Sequence, residues 1–266
     1  MQNESGAGVA PMLNKVPAVT LAFWAVKIMA TTVGETAADF LNANLGLGLG
    51  GTSAVMAGLL VVALALQFRS RRYVPWTYWL VVVLVSVVGT LITDNLTDHF
   101  GIPLALTTSL FAATLAVTFF TWYTVEGTLS IQRIDSSWRE AFYWAAILLT
   151  FALGTAAGDW VAETLKLGYL LSALLFGAAI AVVALAHYGF GLNAVLSFWA
   201  AYILTRPLGA SLGDLLAQPV GSGGLGLGTV GTSAVFLATI LTLVAMMSAA
   251  HRLVMRESPP TDADQA

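Results

Sequence analysis

Long apolar runs alternate with short polar connectors along most of the chain. Each run holds about 20 mostly apolar residues, which is the number that a helix needs to cross a bilayer. The pattern predicts an all-α polytopic membrane protein with residues 17–250 as a single membrane domain. Its eight predicted spans are residues 17–41, 52–68, 76–96, 104–124, 139–162, 168–188, 192–217 and 229–250.

Basic residues are distributed unevenly between the two sides of these spans. If the spans alternate, one side receives Lys15, Arg69, Arg71, Arg72, Arg133, Arg139, Arg252 and Arg256, whereas the connectors on the other side carry a single lysine, Lys166. The positive-inside rule then predicts that both termini are cytoplasmic. Residues 1–16 are expected to form a cytoplasmic N-terminal segment, and the polar residues 251–266 a disordered cytoplasmic tail.

One short segment recurs four times: FWAVKIMATTVGETAADF, YWLVVVLVSVVGTLITDN, YWAAILLTFALGTAAGDW and FWAAYILTRPLGASLGDL. Each copy has an aromatic pair ending in tryptophan, a glycine ten positions after the tryptophan, and an aspartate five positions after the glycine. The tryptophans are Trp24, Trp79, Trp144 and Trp199, and they are expected to anchor the helices near the inner membrane interface. The sequence therefore predicts four tandem two-helix repeats, at about residues 17–72, 73–130, 138–190 and 191–250.

The repeats fall into two types. The connector LGLGLGGTSAV at 45–55 returns as LGLGTVGTSAV at 225–235, whereas the two middle repeats have different connectors. Because each repeat contains two spans, all four copies run parallel. An order of two unlike types, A, B, B, A, suits either a pseudo-symmetric ring or a two-plus-two bundle.

In these features the chain resembles the bacterial membrane proteins built from four copies of a repeat of unknown function, each with two spans and a tryptophan. The resemblance extends from about Val16 to Arg252. It implies a helical membrane fold in the bacterial inner membrane, and it transfers no catalytic or binding residues.

Composition narrows the function further. Hydrophobic residues make up 58% of the 266 residues and charged residues 9%, so the lipid bilayer is the expected solvent. A net charge of −3 provides no basic surface for nucleic acid. The absence of cysteine excludes disulfides, thiolate metal sites and thiol nucleophiles, and no motif indicates a cofactor.

The repeated aspartates are the first functional candidates: Asp39, Asp94, Asp159 and Asp214. Three of them have a second carboxylate four residues away, which is one helical turn: Glu35, Asp98 and Glu163. Ionisable groups within spans are costly and usually face a bundle interior or a wet cavity. If the four helices converge, these carboxylates would form a cation pathway at the outer side. The alternative is that the aspartates are helix-end residues or joints between repeats.

Carboxylate, hydroxyl and carbonyl oxygens favour hard cations such as Mg²⁺, Ca²⁺ or Mn²⁺. A hard divalent ion or a proton is therefore the expected cargo. Asp94, Asp98 and His99 are a candidate metal site, although DNLTDHFG equally suits a solvated helix end.

Two basic residues also lie within predicted spans. Lys27 is expected to extend toward the cytoplasmic interface, since long basic side chains do so from the inner half of a helix. Arg206, followed by Pro207, is expected to pair with a carboxylate of another repeat or to contact an anionic substrate.

The sequence thus favours a transporter or channel for a small cation. The second hypothesis is a membrane scaffold or partner-binding protein whose polar residues hold the repeats together. An intramembrane enzyme ranks lowest, because no nucleophile and base can be paired.

Overall fold

A computed structural model of the protein describes residues 14–44 and 46–257, without the side chains of residue 43 and of residues 251–257. Within this part of the chain there are eight long helices: α1 (Leu21–Asn44), α2 (Gly48–Arg69), α3 (Pro75–Asp94), α4 (Leu104–Glu126), α5 (Ser137–Asp159), α6 (Gly168–Phe190), α7 (Ala194–Ala217) and α8 (Gly228–Glu257). The fold is all-α, as the apolar pattern predicts.

Local sequence signals explain where several helices begin and end. The Oγ of Ser136 accepts a hydrogen bond from the Arg139 amide at the start of α5, and Pro75 occupies the first turn of α3. Gly127 adopts a left-handed conformation (φ 68°) at the end of α4. Such ends suit a protein in lipid, where unsatisfied backbone groups are especially costly.

The eight helices form two concentric layers. The first helices of the repeats, α1, α3, α5 and α7, each pack against the next, and α7 packs back against α1. We call this closed set the inner ring. The second helices form an outer layer in which α2 packs on α3, α4 on α5, α6 on α7 and α8 on α1. The second helix of each repeat therefore packs on the first helix of the next repeat. The four repeats form a pseudo-symmetric ring rather than a two-plus-two bundle.

The repeated glycine forms the joint between neighbouring ring helices. In every case a Cβ placed on the glycine would overlap the residue three positions before the glycine of the next repeat. The four pairs are Gly34 with Ser86, Gly89 with Phe151, Gly154 with Arg206, and Gly209 with Thr31. Small residues permit this close backbone approach, on which helix packing in lipid depends. The last pair closes the ring.

The aromatic pairs repeat the same cyclic rule at the other end of the ring. The first ring of each pair contacts the tryptophan of the next repeat, with centroid distances of 5.7, 5.5, 6.3 and 5.6 Å: Phe23–Trp79, Tyr78–Trp144, Tyr143–Trp199 and Phe198–Trp24. Trp79, Trp144 and Trp199 are buried. The prediction that these tryptophans anchor the helices at the interface is therefore wrong for three of them, because the neighbouring repeat covers the indole.

Six of the described helices are long and apolar enough to cross a membrane: α2, α3, α4, α5, α6 and α8. The two others, α1 and α7, carry most of the charged residues found within helices of the inner ring. Both have 24 residues, which is about 36 Å of helix against a hydrocarbon core of about 30 Å. They close the same ring as α3 and α5.

Parts of the predicted N-terminal segment and of the predicted C-terminal tail are structured. Helix α8 continues to Glu257, so the polar tail predicted from residue 251 begins later. Residues 258–266 and 1–13 lie outside the described part of the chain. Lys15 is buried, and its Nζ contacts Glu140 Oε2 at 2.6 Å. The end of the predicted N-terminal segment is thus packed against α5.

Candidate functional site

Three carboxylates from three repeats meet at one end of the inner ring. One oxygen each of Glu35, Asp159 and Asp214 lies within 4.8 Å of the other two. Glu35 is 5% exposed and Asp214 is 9% exposed, while Asp159 is partly buried. We call these three side chains the acidic cluster. Three like charges at this separation repel one another unless a proton or a cation lies between them.

The other two repeated aspartates lie around this cluster. Asp39 and Asp94 are partly buried, and each is close enough to Glu35 to be affected by its charge. Asp94 is also affected by Asp39. All four repeated aspartates therefore interact electrostatically with Glu35.

The second carboxylates predicted in the second and third repeats, Asp98 and Glu163, lie outside the acidic cluster. Directly after Asp94 and Asp159 the chain forms π-helical turns, Asn95–His99 and Trp160–Thr164. Asp98 and Glu163 are exposed, and each affects Asp39 only through its charge. The charge of Asp98 acts on Asp94 and that of Glu163 acts on Asp159, so each predicted second carboxylate lies near the aspartate of its own repeat.

The predicted metal site at Asp94, Asp98 and His99 is not assembled as a three-ligand group in the described residues. Asp98 and His99 are both exposed, and Asp98 Oδ1 accepts a hydrogen bond from Thr97 Oγ1 at 3.1 Å. The His99 ring packs on Phe100 instead. In this part of the chain, the three acidic groups that do converge are those of the acidic cluster.

Arg206 joins all four repeats below the acidic cluster. Its Nη2 donates to Glu35 Oε2 at 2.8 Å, to Thr155 Oγ1 at 2.7 Å and to Thr90 Oγ1, while Nη1 donates to the Thr31 carbonyl at 3.2 Å. The side chain is fully buried. We call Arg206, Glu35, Thr90 and Thr155 the Arg206 network. Arg206 pairs with a carboxylate of another repeat, and the same carboxylate belongs to the acidic cluster.

The two threonines of this network are functional candidates that the sequence reasoning missed. Thr90 and Thr155 directly follow the repeated glycines of their repeats, as Glu35 follows Gly34. The repeat register itself contained this signal. Once Glu35 is placed at the centre of the ring, the equivalent positions of the other repeats must lie at the same level.

Lys27 lies deeper in the ring, on the side of the aromatic pairs. It is 1% exposed, and its Nζ lies 4.0 Å from the Phe151 ring centre and 4.3 Å from that of Tyr202. Nζ has no hydrogen-bond partner among the residues that the structure describes. The prediction that Lys27 extends to the cytoplasmic interface is wrong, because the closed ring holds its side chain between α5 and α7.

The end of the ring opposite the acidic cluster is closed by aromatic and ionic contacts. The hydroxyls of Tyr78 and Tyr143 lie 2.5 Å apart, and both side chains are fully buried. Beyond them, Glu140 accepts hydrogen bonds from Lys15 and from Gln67 Nε2, the latter at 3.1 Å. This end contains no group of converging acids within the described residues.

The ring therefore offers an oxygen-rich site at one end and fixed positive charge further in. Carboxylates can hold a hard cation or protons, and the guanidinium of Arg206 supplies an internal counter-ion to Glu35. The acidic cluster and the Arg206 network are linked because Glu35 belongs to both.

The chain matches the family described as "Repeat of Unknown Function (DUF347)" in four segments, residues 22–73, 77–128, 142–191 and 197–252. Each segment corresponds to one two-helix repeat of the fold. No curated protein and no solved structure matches the chain. The four tandem matches cover most of the sequence, and the protein belongs to the DUF347 repeat family.

Proposed function

We propose that the protein is a membrane transporter or channel for a small cation, either a hard divalent metal ion or a proton. The cation enters through the acidic cluster. The observation that carries this proposal is the convergence of Glu35, Asp159 and Asp214, three carboxylates from three repeats, within 4.8 Å. Carboxylates at such separations in a membrane are costly, and they are usually found on ion or proton pathways.

The distribution of basic residues supports an orientation for this pathway. Arg69 ends α2, and Arg71 and Arg72 follow it, at the end of the ring that bears the aromatic pairs. By the positive-inside rule this end faces the cytoplasm, and the acidic cluster faces the other side. We propose the bacterial inner membrane as the location, with both termini cytoplasmic.

Ion flux into vesicles containing the purified protein tests the proposal. Asp159→Asn keeps the shape of the side chain and removes its charge, and we expect it to abolish most of the flux of wild type. Asp135→Asn is the matched control, because the Asp135 side chain is 52% exposed and lies in the connector before α5, outside the acidic cluster. Each variant is first shown to be folded by its thermal unfolding in detergent.

A second function is favoured by the Arg206 network. One side chain hydrogen-bonded to three other repeats also suits a non-transporting scaffold, in which polar groups hold the repeats in place. Under that hypothesis Asp159→Asn alters only thermal stability. Wild-type vesicles that pass neither protons nor divalent ions would reject the transport proposal and favour the scaffold.

A further inference from the structure

Lys27 is a buried amine to which the proposed cation site assigns no role. An ammonium group without a hydrogen-bond partner is costly in the interior of a membrane protein. Contact with the faces of Phe151 and Tyr202 offsets part of this cost. A structural lysine in such a place is expected to have an acidic partner, and the nearest network carboxylate, Glu35, is instead bound by Arg206.

The groups that face Lys27 make the inner half of the ring unfavourable for a metal ion. Arg206 on α7 is close enough for its positive charge to act on Lys27. Phe151 on α5 and Tyr202 on α7 cover the amine. A divalent ion that left the acidic cluster for the cytoplasm would pass two basic side chains and then the aromatic pairs. Like charges in a medium of low dielectric repel strongly, so this route is closed to metal ions.

A proton does not meet the same obstacle. We propose that the cation crossing the inner half of the ring is a proton, and that Lys27 is the group that carries it. The ammonium releases its proton toward the cytoplasmic end, and the lone pair of the resulting neutral amine takes up the next proton from the side of the acidic cluster. No other bond is made or broken. The inference rests on the proposed cation transport, and it narrows its cargo.

Phenol hydroxyls lie in the direction in which the proton would leave. Tyr202 Oη is buried and has no hydrogen-bond partner within the described residues, and its ring contacts Lys27. Tyr78 and Tyr143, whose hydroxyls are hydrogen-bonded to each other, lie near enough to Tyr202 to interact with it electrostatically. A hydroxyl both donates and accepts, so the hydrogen-bonded pair Tyr78 and Tyr143 can pass a proton between its two members.

The test uses the full chain in vesicles that contain a trapped pH-sensitive dye, with valinomycin and potassium to prevent a charge from building up. A parallel set contains a trapped fluorescent chelator and is exposed to Mn²⁺. The variants are Lys27→Met, which removes the amine, and Lys27→Arg, which keeps a positive charge that cannot be released. Lys166→Met is the matched control, because Lys166 is an exposed lysine outside the ring helices.

We expect wild type and Lys166→Met to conduct protons and to exclude Mn²⁺. Both Lys27 variants are expected to conduct protons about a hundredfold more slowly, as for the loss of a positioned proton-transfer group. Full proton flux in folded Lys27→Arg would overturn the inference, since a structural cation is all that arginine preserves.

The wild-type measurements separate this inference from the proposed function. Mn²⁺ entry into wild-type vesicles would overturn the inference and leave cation transport standing. If neither ion enters, the proposed transport fails and the inference fails with it. If only protons enter, cation transport and the proton as cargo are supported, and whichever Lys27 variant folds then decides whether the amine carries the proton.

Discussion

The inner ring and the outer layer are both built of four long helices but differ in what their side chains do. In the spans of α3 and α5, 67% of positions are buried, against 17 to 22% in α2, α4, α6 and α8. Lys27, Arg206 and the four repeated aspartates all belong to ring helices. The repeated motif is therefore confined to the helices that contact one another, whereas the outer helices mainly have to be apolar toward lipid.

This difference explains why four diverged copies still form one closed structure. In lipid, helices are not driven together by hydrophobic burial, so close packing and polar contacts decide how they associate. The glycine joint and the aromatic contact supply the packing in every repeat. The chemistry at the centre then varies between copies: glutamate, threonine, threonine and alanine follow the four glycines. A symmetric frame thus holds an asymmetric site.

The largest effect is expected from adding a side chain at a glycine joint. In Gly209→Leu the new atoms overlap Thr31 and approach the Ile28 carbonyl, so the ring cannot close; the expected cost is at least about 3 kcal/mol. Gly177→Leu in α6 is the control, because no atom lies near its Cβ position. Thermal unfolding in detergent measures both. Equal unfolding temperatures for the two variants would contradict the assignment of the glycine as a joint.

A loss of similar size is expected from unpairing Arg206. Glu35→Gln leaves a buried guanidinium without its counter-charge, which costs roughly 3–5 kcal/mol. Glu126→Gln at the end of α4 removes one of the two carboxylate partners of Arg139, the other being Asp135. Arg139 and Glu126 are both 18% exposed, and the expected cost is roughly 0–1 kcal/mol. Chemical denaturation measures the two losses.

The double variant Glu35→Gln, Arg206→Met sharpens this comparison. With both charges removed, we expect part of the stability lost in Glu35→Gln to return. If the stability loss of the double variant equals the sum of the losses of the two single variants, the two residues contribute independently. The network then does not couple the first and fourth repeats.

The smallest effects concern single hydroxyls. Thr155→Val removes an acceptor of Arg206, which is expected to cost roughly 1.5–3 kcal/mol because the hydrogen bond is to a charged group. Thr232→Val in α8 replaces a buried hydroxyl that has no hydrogen-bond partner in the described part of the chain, so stability is expected to stay the same or rise. Unfolding free energies of the two variants give the comparison. A larger loss in Thr232→Val would show that the outer layer also depends on polar contacts.

Much of the fold was predictable from the sequence. The apolar runs and the spacing of tryptophan, glycine and aspartate predict helical repeats, because a helix in lipid needs a minimum apolar length and a repeated contact needs a repeated residue. The register even predicts which positions share a level, such as Glu35 and Thr90. It does not say whether the four helices close into a ring, since A, B, B, A is compatible with more than one arrangement.

The tertiary structure alone decided which polar groups meet. Asp98 and Glu163 are exposed, whereas Asp94 and Asp159 are partly buried, and the apolar pattern does not predict the π-helical turns in which Asp98 and Glu163 lie. Lys27 was expected at an interface and lies inside, because burial depends on which neighbours surround a helix. The sequence determines the list of charged groups and their levels along the ring. Only the closure of α7 onto α1 brings Arg206 to Glu35, since that contact joins residues 171 positions apart in the chain.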